Sequence, residues 1–157
     1  MQRLTEMFVG APRGRLTAEV TETSVIDDLD LAARRLGELR ALGMTIVLDD
    51  FGTGSASLTL LQRVPLDGVK IDRSFVTDIV TDAHDRALVA GFIQLASSIE
   101  LEDTAEGIEP EAQATTLLGL GCARQQGYLH GSAMTADELF AALSPAVAEQ
   151  PAARSRR

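Results

Sequence analysis

Two hydrophobic periodicities alternate along the 157-residue chain. Leu16 to Val20 reads as a strand, and the run Met44 to Asp49 as another, apolar enough to be buried on both faces of a parallel sheet. Between them Leu29, Ala32, Leu36 and Leu39 fall at helical spacing behind Asp28, with Gly43 placed as a C-terminal cap. Ala56 to Gln62 predicts a short helix. Val64-Pro65-Leu66-Asp67-Gly68 is a turn into a third strand, Val69 to Asp72. A longer helix follows over Ala83 to Ile99, with Leu88, Val89, Phe92, Ile93 and Ala96 on its apolar positions. The strand Leu101 to Ala105 is unusually polar, carrying Glu102 and Asp103. Pro110 suits the start of a helix reaching Leu120, Cys122 to Gln125 is a weak strand, and Asp137 to Leu143 a final helix. A short apolar helix is expected over Leu4 to Phe8.

Strand and helix alternate five times, which predicts an α/β fold with a parallel sheet and crossover helices. No 20–50-residue repeat, GxGxxG fingerprint or P-loop is present. Residues 1–143 read as one domain. Residues 144–157, rich in Ala, Pro and Arg, read as a disordered tail.

Composition narrows the function. Apolar residues make up 45% and charged residues 24%, the balance of a soluble globular domain. The net charge of −9, from 23 acids and 14 bases, argues against a partner such as a nucleic-acid polymer, which would call for a basic surface. No apolar run reaches the roughly 18–20 residues of a membrane span, and no secretory leader is recognisable. The single Cys122 excludes an internal disulfide. A cytoplasmic location is the resulting expectation. Thirteen of the fourteen basic residues are Arg; the lone Lys is Lys70, at the end of a predicted strand.

The chemistry collects at strand ends. Glu19 and Glu22 close the first strand, and Asp49 and Asp50 the second. Lys70 and Asp72 lie on the third, Glu106 after the fourth and Gln126 after the fifth. The carboxyl ends of parallel strands are where barrel enzymes build their sites, although any one such acid could simply cap a helix. Adjacent carboxylates repel unless a cation intervenes. Hard oxygen ligands such as Glu19, Asp49 and Asp50 select Mg²⁺ or Mn²⁺, and paired ions of this kind hydrolyse phosphoesters. Lys70 is then placed to orient water or to balance phosphoryl charge, and Glu106 to act as ligand or general base. Gly52, Thr53 and Gly54 give the chain a sharp turn after the acids. Tyr128 reads as a packing residue, Cys122 as a small core residue, and His84 and His130 as surface histidines. Glu109 and Asp72 read as structural acids.

The motifs Glu19-Val20-Thr21-Glu22-Thr23, Asp49-Asp50-Phe51-Gly52-Thr53-Gly54, Lys70-Ile71-Asp72-Arg73-Ser74-Phe75-Val76, Ala105-Glu106-Gly107-Ile108-Glu109 and Gln126-Gly127-Tyr128 occur in an order that resembles the EAL-domain family. The resemblance covers about residues 2 to 143. It implies a cyclic di-GMP phosphodiesterase that releases pGpG with two Mg²⁺ or Mn²⁺ ions. It further implies that Glu19, Asp49 and Asp50 are metal ligands, and that Lys70 and Glu106 are catalytic. Glu22 is expected to tether the loop after Asp50, and Gln126 to make a second-layer contact. The family's barrel has roughly 250 residues, so the expectation is an incomplete TIM-type barrel of about five βα units, the C-terminal part of the domain. The chain contains neither a Glu-Ala-Leu triplet nor any Asn, so the family's other ligands are lacking. The alternatives to hydrolysis are a non-catalytic module binding cyclic di-GMP or a protein, or an inactive gene remnant. Open sheet edges would invite a homodimer or pairing with a chain that supplies further strands.

Overall fold

The computed structural model describes residues 16–25, 28–54 and 57–143, without the side chains of Ser57 and Leu143. The helix expected over Leu4 to Phe8 and the tail expected over 144–157 lie outside them. Five strands, β1 (Thr17–Thr21), β2 (Thr45–Phe51), β3 (Gly68–Ile71), β4 (Glu102–Ala105) and β5 (Arg124–Gln125), form one sheet in chain order, every pair parallel. The helices are α1 (Glu22–Val25), α2 (Leu29–Ala41), α3 (Ser57–Arg63), α4 (Arg73–Val76), α5 (Ala83–Ser98), α6 (Glu111–Leu120) and α7 (Ala136–Leu143). This is the α/β alternation the periodicity predicts, with β1 and β5 as the edges among the described residues. The two short helices α1 and α4, one turn each, carry too few apolar positions to show a period. No described helix is long and apolar enough to cross a membrane.

Strand β2 buries one face rather than two, whereas the short β3 is buried throughout. Ile46 and Leu48 of β2 are fully buried while the alternate residues Thr45, Val47 and Asp49 are half-buried. Ile46, Leu48, Phe51 and Val69 pack with Leu36, Leu60 and Val64 of the helical layer. Ile71, Ala105, Val76, Ile79, Val89, Ile93, Leu117 and Cys122 form a second cluster. Phe92 of α5 joins the two. Its ring meets Phe51 at 5.2 Å and Phe75 at 5.3 Å, both edge-on, a preferred geometry for aromatic pairs. The expectation that Met44 to Asp49 is buried on both faces is therefore corrected: the apolar run serves helices on one side only, and Val47 stands on the other.

Local signals set the helix ends. Asp28 accepts from Leu31 N at 2.9 Å, Asp82 from His84 N at 2.6 Å and Asp72 from Ser74 N at 2.9 Å, each satisfying an orphan donor of a first turn. Gly43 takes φ 95° after α2, as expected of a capping glycine. Asp67, in the turn before β3, accepts from Ile46 N at 2.9 Å and pairs with Arg40 at 2.6 Å, tying α2 to the start of two strands. The polar strand β4 is only partly accommodated, because Asp103 Oδ2 is buried without a hydrogen bond. Glu102 is half exposed and forms a two-pronged pair with Arg124 of β5, so it avoids the penalty of a buried, unpaired carboxylate.

Candidate metal and phosphoester site

The ends of β2, β3 and β4 bring Asp49, Asp50, Lys70 and Glu106 together. Lys70, with its side chain 8% exposed, is central. Its Nζ lies 2.5 Å from Glu106 Oε1, 3.1 Å from Glu19 Oε1 and 3.3 Å from Asp49 Oδ1. Burial by itself would lower the ammonium's pKa. Its hydrogen bonds to Glu106 and Glu19 and the charges of Glu106 and Asp49 outweigh that effect and hold the pKa above the ordinary lysine value. Four strands thus contribute to one charged knot, with an exposed Glu19 at its outer margin.

A β-bulge gives the knot its second aspartate. Val47 and Leu48 pair with Gly68 and Val69, but the next pair is Phe51 with Ile71, so β2 spends one residue more than β3. Asp50 takes φ 55°, the left-handed region that a non-glycine residue enters only at a cost. In a regular pleat Asp50 would face the helices and Phe51 would leave the core. The extra residue returns Phe51 to the core and leaves both acids on the site side.

Carboxylate oxygens of Asp49, Asp50 and Glu106 all lie within 4.8 Å of one another. Asp49 Oδ1 is buried and has no hydrogen bond; its 3.3 Å approach to Lys70 is an ion pair lacking hydrogen-bond geometry. A buried carboxylate oxygen without a hydrogen bond is costly. Hard, clustered oxygens with one of them undersatisfied fit a divalent cation. Glu19 meets Lys70 and is not part of this close trio.

Around the trio the supporting residues are set by close packing. Gly52 takes φ 98° directly after Phe51, and a Cβ there would come within 3.0 Å of the Phe75 and Phe92 rings. The buried Glu22 carboxylate sits where a side chain on Gly54 would be. Gly127 has no room for a Cβ, which would fall 2.1 Å from Ile108 O. That approach holds the segment after β5 against Ile108, whose N–H donates to Gln126 O at 3.1 Å.

A cleft of about 710 Å³ opens beside the acids, lined among others by Asp50, Glu106, Glu109, Gln126 and Tyr128. Gln126 is exposed at its wall rather than hydrogen-bonded to the trio. Tyr128 is 73% exposed, which corrects its reading as a packing residue. Arg73 and His130 also line the cleft. Arg73 was not singled out from sequence, because no spacing rule marks an Arg after a strand, and His130 was read only as a surface histidine; it is exposed, on the cleft wall. His84, by contrast, begins α5 on the surface.

Known proteins resemble the chain in sequence and in fold. Residues 1–133 match the EAL domain family. The bifunctional diguanylate cyclase/cyclic di-GMP phosphodiesterase MucR of Pseudomonas aeruginosa is 41% identical over 129 residues, covering 82% of this chain and 19% of MucR. The crystal structure of the EAL domain of Mycobacterium smegmatis DcpA superposes with a TM-score of 0.86 at 37% identity, over 90% of this chain and 65% of that one. Klebsiella pneumoniae BlrP1, solved with manganese and cyclic di-GMP, gives a TM-score of 0.74 at 32% identity, over 82% of this chain and 33% of BlrP1. The chain spans less than a fifth of the length of the first curated relatives it matches.

Proposed function

The chain belongs to the EAL-domain family, and on that footing we propose that it provides a divalent-cation-dependent phosphodiesterase site that opens cyclic di-GMP to pGpG. The observation that carries this reading is the convergence of Asp49, Asp50 and Glu106 on one point, with a buried Asp49 oxygen that lacks a hydrogen bond. MucR is named as a cyclic di-GMP phosphodiesterase, and BlrP1 holds manganese beside cyclic di-GMP, which supports both the substrate and the cation.

Asp49 and Asp50 would hold Mg²⁺ or Mn²⁺, with Glu19 as a further ligand. When bound, the cation supplies Lewis acidity toward the phosphoryl oxygens and a lowered pKa for water. The chain's own residues do the rest. Glu106 accepts the proton of the attacking water at its carboxylate. Lys70, held protonated by its acids, keeps that carboxylate in place and offers its remaining charge to the phosphoryl oxygens. Glu22 positions the Gly52–Gly54 turn, and through it Asp50. Gln126 stands on the cleft wall to hold the dinucleotide.

The test is direct. The chain is incubated with cyclic di-GMP and Mn²⁺, and pGpG is followed by chromatography, with Glu106→Gln as the control. Product in the unaltered chain and its loss in the variant are expected; equal product in both would remove Glu106 from the reaction. The absence of Asn and of a Glu-Ala-Leu triplet favours a second reading, binding without turnover. Cyclic di-GMP retention that Asp49→Ala leaves untouched, with no pGpG formed, would select it.

A further inference from the structure

A groove of about 660 Å³ lies on the helical side of the sheet, between the C-terminal half of α5 and the end of α6. Asp103 of β4 forms part of its lining. The residue stands two positions before the buried Ala105, so strand alternation turns both toward the helices. Its Oδ2 atom is buried and has no hydrogen bond. The polar groups nearby are spent elsewhere. The neighbouring Cys122 thiol donates to Arg124 O at 3.2 Å, Arg124 is paired with Glu102, and the Ser98 hydroxyl donates to Gln94 O at 2.7 Å. Asp103 as a whole is only partly buried, so a group entering the groove can reach its carboxylate.

Two helix ends add to the negative charge. The final residues of α5 and α6, Ser98 and Leu120, line the groove, so the negative ends of both dipoles lie beside it. Neither helix has a basic residue in its last turn, the usual complement of such an end. No Lys or Arg lines the groove among the described residues. An undersatisfied carboxylate where two such ends meet calls for a cation. A divalent ion takes roughly six or more oxygens, and the acid trio close enough to hold one is elsewhere in the molecule. The walls favour an organic cation instead. Ala90, Ile93 and Leu120 offer a hydrocarbon surface, and Gln94 and Ser97 offer side-chain oxygens to further N–H donors. The volume falls within the range of about 300–1,000 Å³ usual for small-molecule sites. We propose that this groove binds a small primary alkylamine as its ammonium ion, held by Asp103 and lodged against Ile93 and Leu120.

The probe is n-hexylammonium, with n-hexanol as the neutral control of the same body. Each is titrated into the full chain while NMR follows the backbone amides of Gln94, Ser97 and Gly121. Salt is held at about 150 mM, which screens attraction to the general acidic surface. Saturable shifts at these amides are expected with hexylammonium and not with hexanol. Asp103→Asn keeps the shape and removes the charge. It should weaken binding by about tenfold to a hundredfold, the worth of one charge-assisted hydrogen bond. Asp49→Ala should leave the titration unchanged, since the acid trio is not the receptor. Ser97→Lys leaves the strand intact and places an ammonium on the last turn of α5. It should compete for Asp103, weaken hexylammonium binding and raise the urea midpoint. Thermal melts establish that each variant folds. Undiminished binding in either folded variant, Asp103→Asn or Ser97→Lys, would overturn the proposal. So would the absence of saturable shifts in the unaltered chain, which would leave water as the partner of Asp103. Tighter binding of Nα-acetyl-lysine amide than of hexylammonium would give the groove to a lysine of another protein and overturn the small-amine assignment.

Discussion

At the residue scale, Lys70 determines how the acids coexist. Three carboxylates approach one ammonium that is nearly withdrawn from water. Removing one partner of a buried charge network leaves the others uncompensated, at about 3–5 kcal/mol for a well-buried pair. Glu19 is half exposed and will recover hydration, so the lower end is the better expectation for Lys70→Met. Urea unfolding of the cation-free chain measures it, and an unchanged midpoint would mean that the acids relax into solvent at no cost. Cys122 gives a second test. Burial, and then the neighbouring Asp103 carboxylate, pushes its thiol up to about 12. The folded state therefore favours the neutral thiol. The stabilisation is complete below the unfolded thiol's value near 9 and is lost as the pH climbs from about 9 to 12. At pH 8 the thiol should resist alkylation in the folded chain and react once urea unfolds it, since the thiolate is the nucleophile. Prompt labelling without denaturant would contradict the burial.

At the scale of elements, close backbone approach holds the segment after β5 in place. Gly127→Ala forces a methyl into the Ile108 peptide, and overpacking of this sort costs about 1–3 kcal/mol. We expect a lower urea midpoint together with weaker ligand binding, because Gln126 and Tyr128 flank the displaced residue. The same elements show what a one-dimensional pattern can convey. The β–α alternation was legible because Leu29, Leu36 and Leu39 recur at helical spacing while Ile46 and Leu48 alternate. Asp49, Asp50, Lys70 and Glu106 were legible as candidates because each lies on or just after a predicted strand. The bulge was not. A period-two reading assigns Asp50 to the helix side, and only the partner strand shows that β2 has one residue too many. Val47 was misplaced for a similar reason, since an apolar run does not say which of its faces meets helices. Tyr128 was assigned to packing on its chemistry alone, whereas exposure is a property of the neighbours.

For the whole molecule, a net charge of −9 and an acid trio without a cation work against the compact state. Ligands that bind only the folded form stabilise it by mass action, about 2.7 kcal/mol at a hundredfold excess over Kd. Millimolar Mn²⁺ should therefore raise the melting temperature, EDTA should reverse the rise, and Asp49→Ala should largely abolish it. An equal rise in the Asp49→Ala variant would place the cation on the general acidic surface. The edges of the sheet are a separate liability, since β1 and β5 each have one unpaired side among the described residues. Sedimentation across a concentration series will show whether a second copy uses them.

The extra residue in β2 has a further consequence, for deletions. Most single-residue deletions in a central strand turn every following side chain to the wrong face. Here the strand already carries a surplus, so loss of Asp50 would bring Asp49 and Phe51 into ordinary succession and let β2 pair evenly with β3. The shortened chain would shed a left-handed aspartate, whose conformation costs about 1–2 kcal/mol. It should fold at least as firmly as the original while losing its catalytic promise. A gap of one amino acid at this position would then mark a relative that has kept the architecture and given up the chemistry.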